Sequence, residues 1–473
     1  MRMISLPLAL VTLLAATQGA FAQPVPPAEY QHLARDIFKQ LIEIDTTHEK
    51  GSTPAAEAMA QRLLAAGFAP EDVQVLAPRP EKGNLVVRLR GKGKAKPILF
   101  VAHLDVVEAH REDWSYDPFV LTEEEGYFYG RGTGDIKDEA ADLITNLLRL
   151  KAERYVPRGD IIVALTEDEE AGGDANGAKW LLENHRDLID AQFVINTDAA
   201  GGQIEHGRRV RNPVQTSEKA YVTYALEVTN PGGHSSMPRR DNAIYALAQG
   251  LGRFAHFEFP VRFTDTTRAY FTVMAEHADE PVRRDLLGVL ATPPSPEAVA
   301  RVGQTPLYNA MMRTTCVATT VQAGHAENAL PQRAQATIQC RLLPGDEIEQ
   351  VRATIRQVLD DPAITVSVLR DPIVAPASPV PPAIMQSVQR VTDQMWKDVL
   401  VLPVMDPWSS DCIYYRSAGL PTYGVSGVFF DIDDVRSHGK DERILVQSFY
   451  EGVEFMYRLM KDLTSRDLQG IPD

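Results

Sequence analysis

Short runs of β-branched and aliphatic residues at 84–89, 98–102, 160–165 and 192–196 alternate with helical stretches at 139–154 and 178–184. Strands separated in this way pair through helical crossovers, which imposes a mostly parallel sheet covered by helices on both faces. Ligands of such sheets gather at the carboxyl ends of the strands. Two more amphipathic helices are expected ahead of the sheet, because Leu33, Ile37, Leu41 and Ile44 recur at helical spacing and 55–66 repeats the pattern.

The pattern then changes. Residues 221–229 alternate like a half-buried strand, 242–253 read as a helix, and 315–321 with 334–342 read as a strand pair. A helix at 347–359 and a strand at 364–369 complete a β-α-β-β-α-β order, that of an α+β ferredoxin-like sandwich. The Pro-rich stretch 371–382 reads as a linker back to the first sheet, which resumes near 422–428 before a last helix at 444–462. A chain of 473 residues exceeds what one core usually organises. The expected division is a discontinuous catalytic domain, 28–215 and 376–473, with an inserted lid at 216–372.

The chain opens with Arg2, an apolar run over 4–16, and Ala20-Phe21-Ala22 before Gln23. This reads as a secretory signal peptide spanning 1–22 and cut after Ala22, so the mature protein is expected in the periplasm or secreted. No later segment is long and apolar enough to span a bilayer. A net charge of −16, with no basic cluster standing out, argues against nucleic acid or an anionic membrane as partner. Export permits a disulfide between Cys316 and Cys340, on strands expected to pair, but two free, buried thiols are the expected state.

Five segments place acidic or histidine residues where strands give way to loops: His103 with Asp105, Asp135, Glu167 to Glu170, Asp198, and His438. One such imidazole is commonly a satisfied polar group, and paired carboxylates commonly open a solvated helix. Several carboxylates at one sheet edge, however, repel one another unless cations compensate. Imidazole and carboxylate donors without a thiolate suit zinc or a similar divalent ion. Two histidines and three carboxylates suffice for two ions if one carboxylate bridges. Ions about 3.5–4 Å apart can share a hydroxide nucleophile and polarise a carbonyl, leaving a further carboxylate as general base.

These segments resemble the co-catalytic zinc metallopeptidases, the family of aminoacylases, glutamate carboxypeptidase, succinyl-diaminopimelate desuccinylase and carboxypeptidase S. The resemblance implies that two Zn2+ ions, for which Co2+ or Mn2+ could substitute, are held by His103, Asp135, Glu170, Asp198 and His438. It makes Asp135 the bridge, followed by a cis peptide to Ile136, and Glu169 the general base; Asp105 orients His103. Asp138 departs from the pattern, which usually has a glycine or small residue there. In the lid, Gly232-Gly233-His234-Ser235-Ser236 matches a block whose histidine steadies an oxyanion, commonly from a partner subunit, which implies a homodimer through the lid. Asn328 and Arg341 match residues that contact substrate, and a guanidinium suits capture of a carboxylate. The block from Met312 to Pro331, with the long segment 257–309, is most similar to the carboxypeptidase S and N-acyl-amino-acid hydrolase branch. Phe259, Phe263, Tyr270 and Phe271 in that segment are expected in a core rather than a cleft.

The leading expectation is hydrolysis of an amide bond beside a free carboxylate, as by a carboxypeptidase or dipeptidase. N-acyl-amino-acid deacylation is the same reaction with a different acyl group, and both need an Arg-held carboxylate. A binding protein without turnover would be expected to lose the base or a ligand, and Glu169 and all five ligand positions are intact.

Overall fold

A computed structural model of the chain describes residues 24–370 and 372–468. The expected signal peptide lies outside the described residues. Among those described, no helix is long and apolar enough to cross a membrane.

Eight strands form one mixed sheet in the order Val73–Leu76, Asn84–Leu89, Ile161–Thr166, Ile98–His103, Phe193–Asn196, Thr422–Gly424, Val214–Glu218, Pro403–Asp406. Its middle is parallel, from Ile161–Thr166 through Ile98–His103 and Phe193–Asn196 to Thr422–Gly424. Antiparallel pairs flank that centre, so the α/β expectation holds with a more mixed periphery. All six residues of Ile98–His103 and of Ile161–Thr166 are buried, because side chains alternate between two covered faces. Phe100, Ala102, Val163 and Leu165 meet the helices Ala28–Ile42, Lys137–Ala152 and Val446–Ser465. Leu99, Val101, Ile162 and Ala164 meet Ala178 and Leu181 of Gly177–Asn184 and Tyr415 of Cys412–Ser417.

The inserted unit is a four-stranded antiparallel sheet in the order Thr315–Ala323, Arg333–Leu342, Ala220–Thr229, Thr365–Val368. Ala220, Val222, Tyr224, Leu226 and Val228 point to one face, where Leu247 and Ile355 of helices Ala243–Phe254 and Ile348–Leu359 cover them. This is the expected ferredoxin-like order. Between its first helix and second strand run four helices, Asp265–His277, Val282–Leu290, Pro296–Val302 and Pro306–Met312. Their own core, with Tyr270 and Phe271, closes on Leu402 and Met405 at the edge of the large sheet. Phe259 packs on the core of the inserted sheet and Phe263 on that of the four helices.

The expectation of free thiols at Cys316 and Cys340 is overturned, because the two are joined by a disulfide. They stand directly opposite each other on neighbouring antiparallel strands, where paired Cα atoms lie close enough for their sulfurs to meet. Cys412 is free and buried. Thiol titration of the unfolded, unreduced protein should therefore find one reactive cysteine, and three after reduction. By the chain-entropy argument, opening a loop of this size should cost about 3 kcal/mol of stability, measurable by denaturant unfolding of Cys316→Ser.

Candidate metal centre and active site

The parallel strands end side by side, and the loops that follow carry the acidic and histidine residues. His103 closes its strand with the imidazole buried. Its Nδ1 lies 2.9 Å from the backbone carbonyl of Asp105, so it donates there and turns Nε2 toward the neighbouring carboxylates. Nε2 is 3.2 Å from Asp135 Oδ1 and 4.0 Å from Asp198 Oδ1. The other Asp135 oxygen, Oδ2, is 3.1 Å from His438 Nε2, which also lies 2.9 Å from Glu170 Oε1. Two groups of donors result, His103 with Asp135 and Asp198, and Asp135 with Glu170 and His438. Asp135 belongs to both, one oxygen in each. The peptide from Asp135 to Ile136 is cis, as the resemblance implied.

Neighbouring residues fix this arrangement. Glu442 accepts hydrogen bonds from the backbone of Gly132 and Gly134 at 3.2 and 2.8 Å and pairs with Arg131, tying the loop that carries Asp135 to the segment just after His438. The Asp105 carboxylate accepts from the backbone N–H groups of Glu169 and Glu170 at 3.1 and 3.0 Å. It is 3.6 Å from His103 Nδ1, so Asp105 steadies His103 mainly through its main chain, and its side chain holds the Glu169-Glu170 turn. Asp198 follows its strand through a turn closed by its own N–H on Asn196 Oδ1, 3.0 Å away.

The electrostatics follow from crowding. Burial, and then the Asp198 charge, push the Glu169 carboxyl well above the usual range. Burial does the same to Asp198, against the His103 charge and with that of Asp135. Burial would raise Asp135 too, but its hydrogen bonds to His103 and His438 hold it below the ordinary carboxylate value. His438, bonded to Asp135 and Glu170, is pushed up to about 10. Four carboxylates around two imidazoles thus compete for too little positive charge. Two divalent cations would balance four carboxylates, and His103 Nε2 faces the oxygens that would share an ion with it once the ion replaces its proton. The donor set fits such a pair, with oxygen and nitrogen ligands and no thiolate.

Sequence reasoning missed several supports. Lys82 is buried and donates to Glu167 Oε1, Asp168 Oδ1 and the His48 carbonyl, each at 2.7 Å, so one cation is shared by the two acids before Glu169. Asp411, buried beside Glu169, accepts from Asn176 at 2.7 Å and from Thr166 at 3.2 Å. Neither could be paired from sequence, because the partners lie far apart along the chain. Asp138 is fully buried at the start of its helix, where burial pushes its carboxyl up to about 7.

The lid residues stand apart from this cluster. His234 is exposed on a two-stranded ribbon opposite Ala329, with Nδ1 accepting from Ser236 Oγ at 2.8 Å. Gly232 precedes it at φ +77°, a conformation that L side chains rarely adopt. Asn328 is exposed beside the ribbon, its carbonyl accepting from Ser235 N–H at 3.1 Å. Arg341 is half-buried, donates to Ser409 Oγ at 3.1 Å and lies 4.7 Å over the Tyr221 ring. It makes no ion pair with a carboxylate among the described residues, and burial lowers its pKa.

Comparison with known proteins agrees with this geometry. The sequence is 29% identical over 383 residues to the human (Homo sapiens) N-fatty-acyl-amino acid synthase/hydrolase PM20D1, covering 78% of this chain and 74% of that one. It is 28% identical over 391 residues to probable carboxypeptidase S-like 2 of Dictyostelium discoideum, covering 80% and 74%. The fold is similar to that of the metallo-carboxypeptidase Sso-CP2 from Sulfolobus solfataricus, with a TM-score of 0.64 at 16% identity over 90% of this chain and 98% of that one. The pattern of Peptidase family M20/M25/M40 matches residues 99–462. The chain belongs to that family and is a hydrolase of its peptidase and amidohydrolase type.

Proposed function

We propose that the protein is a two-zinc hydrolase that cleaves an amide bond beside a free carboxylate, with a carboxypeptidase or dipeptidase substrate. The observation that carries this reading is the shared carboxylate: Asp135 presents one oxygen to His103 and Asp198, the other to His438 and Glu170. His103, Asp135 and Asp198 would hold one ion, and Asp135, Glu170 and His438 the other. The zinc pair would supply Lewis acidity to the scissile carbonyl and make water a stronger acid.

Glu169 holds and moves the proton. Its buried carboxyl, raised above the usual range, takes a proton from the attacking water and passes it to the leaving nitrogen. Asp105 fixes the backbone of this base and of the neighbouring ligand together, so both keep their aim through turnover. Arg341, with no carboxylate partner of its own, receives the free carboxylate of the substrate in a bidentate pair. Asn328 contacts the substrate from the lid, and His234 completes the site from the lid of a partner subunit as a donor to the developing oxyanion. The exposed position of His234 supports that assignment. Export is proposed on the leader sequence alone.

A second reading, deacylation of N-acyl amino acids, is favoured by the similarity to a protein named for N-fatty-acyl-amino acids. Both readings use the same residues. Comparing amino-acid release from dipeptides and from N-acyl amino acids distinguishes them.

Metal analysis of the active protein should find two divalent ions per chain, and a chelator should abolish turnover; active enzyme with one ion or none contradicts the shared-carboxylate reading. Glu169→Gln should retain both ions while kcat falls by roughly 10²–10⁴-fold, whereas Glu170→Gln should also weaken one ion. Equal metal loss in the two variants reverses the assignment. Amidating the substrate's carboxylate should remove most activity from the unaltered protein but cost Arg341→Ala little more, and Arg341→Lys should be poorly tolerated although the charge is kept.

A further inference from the structure

The end of the large sheet away from the metal centre gathers cations that the sequence reading overlooked. Arg88, Arg90, Lys92, Lys94 and Lys96 fall within nine residues without an acid among them, in a chain of net charge −16. Arg88 and Arg90 pair with Asp160 and Asp72. Lys92, Lys94 and Lys96 are exposed and form no salt bridge among the described residues. Their loop is pinned to the 157–159 segment, with Lys92 N–H on the Pro157 carbonyl and Lys94 N–H on that of Arg158, both 2.9 Å. A side chain on Gly159 would collide with the Lys96 carbonyl, so the two segments approach as closely as glycine allows. Between this loop and the end of the last helix lies a cavity of about 200 Å3, lined by Lys94, Lys96, Arg158 and Arg466, with Asp467 the one acid among its described lining residues. Among the described residues Arg158 has no carboxylate partner, and its Nε is buried without an acceptor. Arg466 shares Asp462 with Arg390.

The bland account is that these cations complement the carboxyl end of the last helix, whose Thr464 carbonyl accepts from Arg158 N–H at 2.9 Å. A helix end carries about half a negative charge. Even with Asp467 and the Asp462 partner of Arg466 counted, that leaves positive charge in excess around the cavity. A dianion with several acceptor oxygens does, since the guanidinium of Arg158 offers a planar fork and the lysines offer point charges. A long polyanion would run beyond the patch onto a surface of the wrong sign. We propose that this cavity binds a phosphate group, either of a small soluble compound or of a lipid headgroup. The cavity lies at the starts of the strands whose far ends carry the metal ligands, about 20 Å along the sheet, so it is separate from the hydrolytic site.

Inorganic phosphate titrated into the zinc-loaded protein, followed by calorimetry, should bind saturably. Lys94→Gln and Arg158→Gln should each weaken binding about tenfold or more, the loss of a charge-assisted hydrogen bond, with amide hydrolysis unchanged. Lys94 is on an exposed loop, so its variant tests the site even if Arg158→Gln fails to fold. Phosphate that binds only at the metal centre would titrate all three proteins alike, and that result overturns the proposal. Co-sedimentation with vesicles of equimolar phosphatidic acid and phosphatidylcholine, but not phosphatidylcholine alone, distinguishes the source. Dependence of that binding on Lys94 assigns a headgroup; phosphate binding without vesicle binding assigns a soluble compound. Neither binding, or binding indifferent to both substitutions, refutes it.

Discussion

Asp135 is bound from two sides by groups that arrive from distant parts of the chain. His103 ends a central strand, His438 sits in a loop more than three hundred residues later, and the carboxylate between them offers one oxygen to each. The rest of the architecture serves to bring those three residues within hydrogen-bond distance. The parallel strands place His103 and the Asp198 and Glu170 loops at one edge. Glu442, buried with Arg131, then fastens the Asp135 loop to the segment carrying His438.

Such a concentration of carboxylates is costly in a buried setting, and the fold distributes the compensation. Lys82 takes up Glu167 and Asp168, Asn176 and Thr166 hydrogen-bond Asp411, and Asp105 is bonded by main-chain N–H groups. These partners leave Asp135, Glu169, Glu170 and Asp198 as the acids facing one another. The demand for positive charge among those four acids is what a metal pair would meet. Asp105 also holds the main chain of the Glu169-Glu170 turn, so the backbone of these two adjacent acids is fixed together.

The inserted sheet contributes a different kind of group. Arg341 is held by Ser409 and by the Tyr221 ring and has no acid of its own among the described residues, whereas Arg88 and Arg149 beside the large sheet are paired with acids. A guanidinium kept half-buried and unpaired is expensive unless a ligand anion completes it. The loop carrying Ser409 continues to Asp411 beside Glu169, so the arginine and the carboxylate cluster are linked by a few residues pinned at each end.

Strand and helix order were legible in the sequence, because burial on two faces writes continuous apolar runs and burial on one face writes alternation. The runs at 98–102 and 192–196 and the alternation at 221–229 appear where periodicity put them. The side chains of the candidate site were legible for a related reason: strand ends are the places where polar residues interrupt apolar runs. The periphery was not. Pro403–Asp406 is a short edge strand whose apolar residues belong to the core of the four inserted helices, so its pattern could not be assigned to a sheet in advance. The Cys316–Cys340 bridge depended on register, since a shift of one residue would have turned the two sulfurs to opposite faces. Lys82, Asp411 and the lysine loop at 92–96 were present as letters, but their partners or neighbours lie far along the chain. Sequence alone determined which residues could carry charge to the end of a strand; only the tertiary structure decided which charges face each other, because Coulomb interactions depend on distance in space and not on separation along the chain.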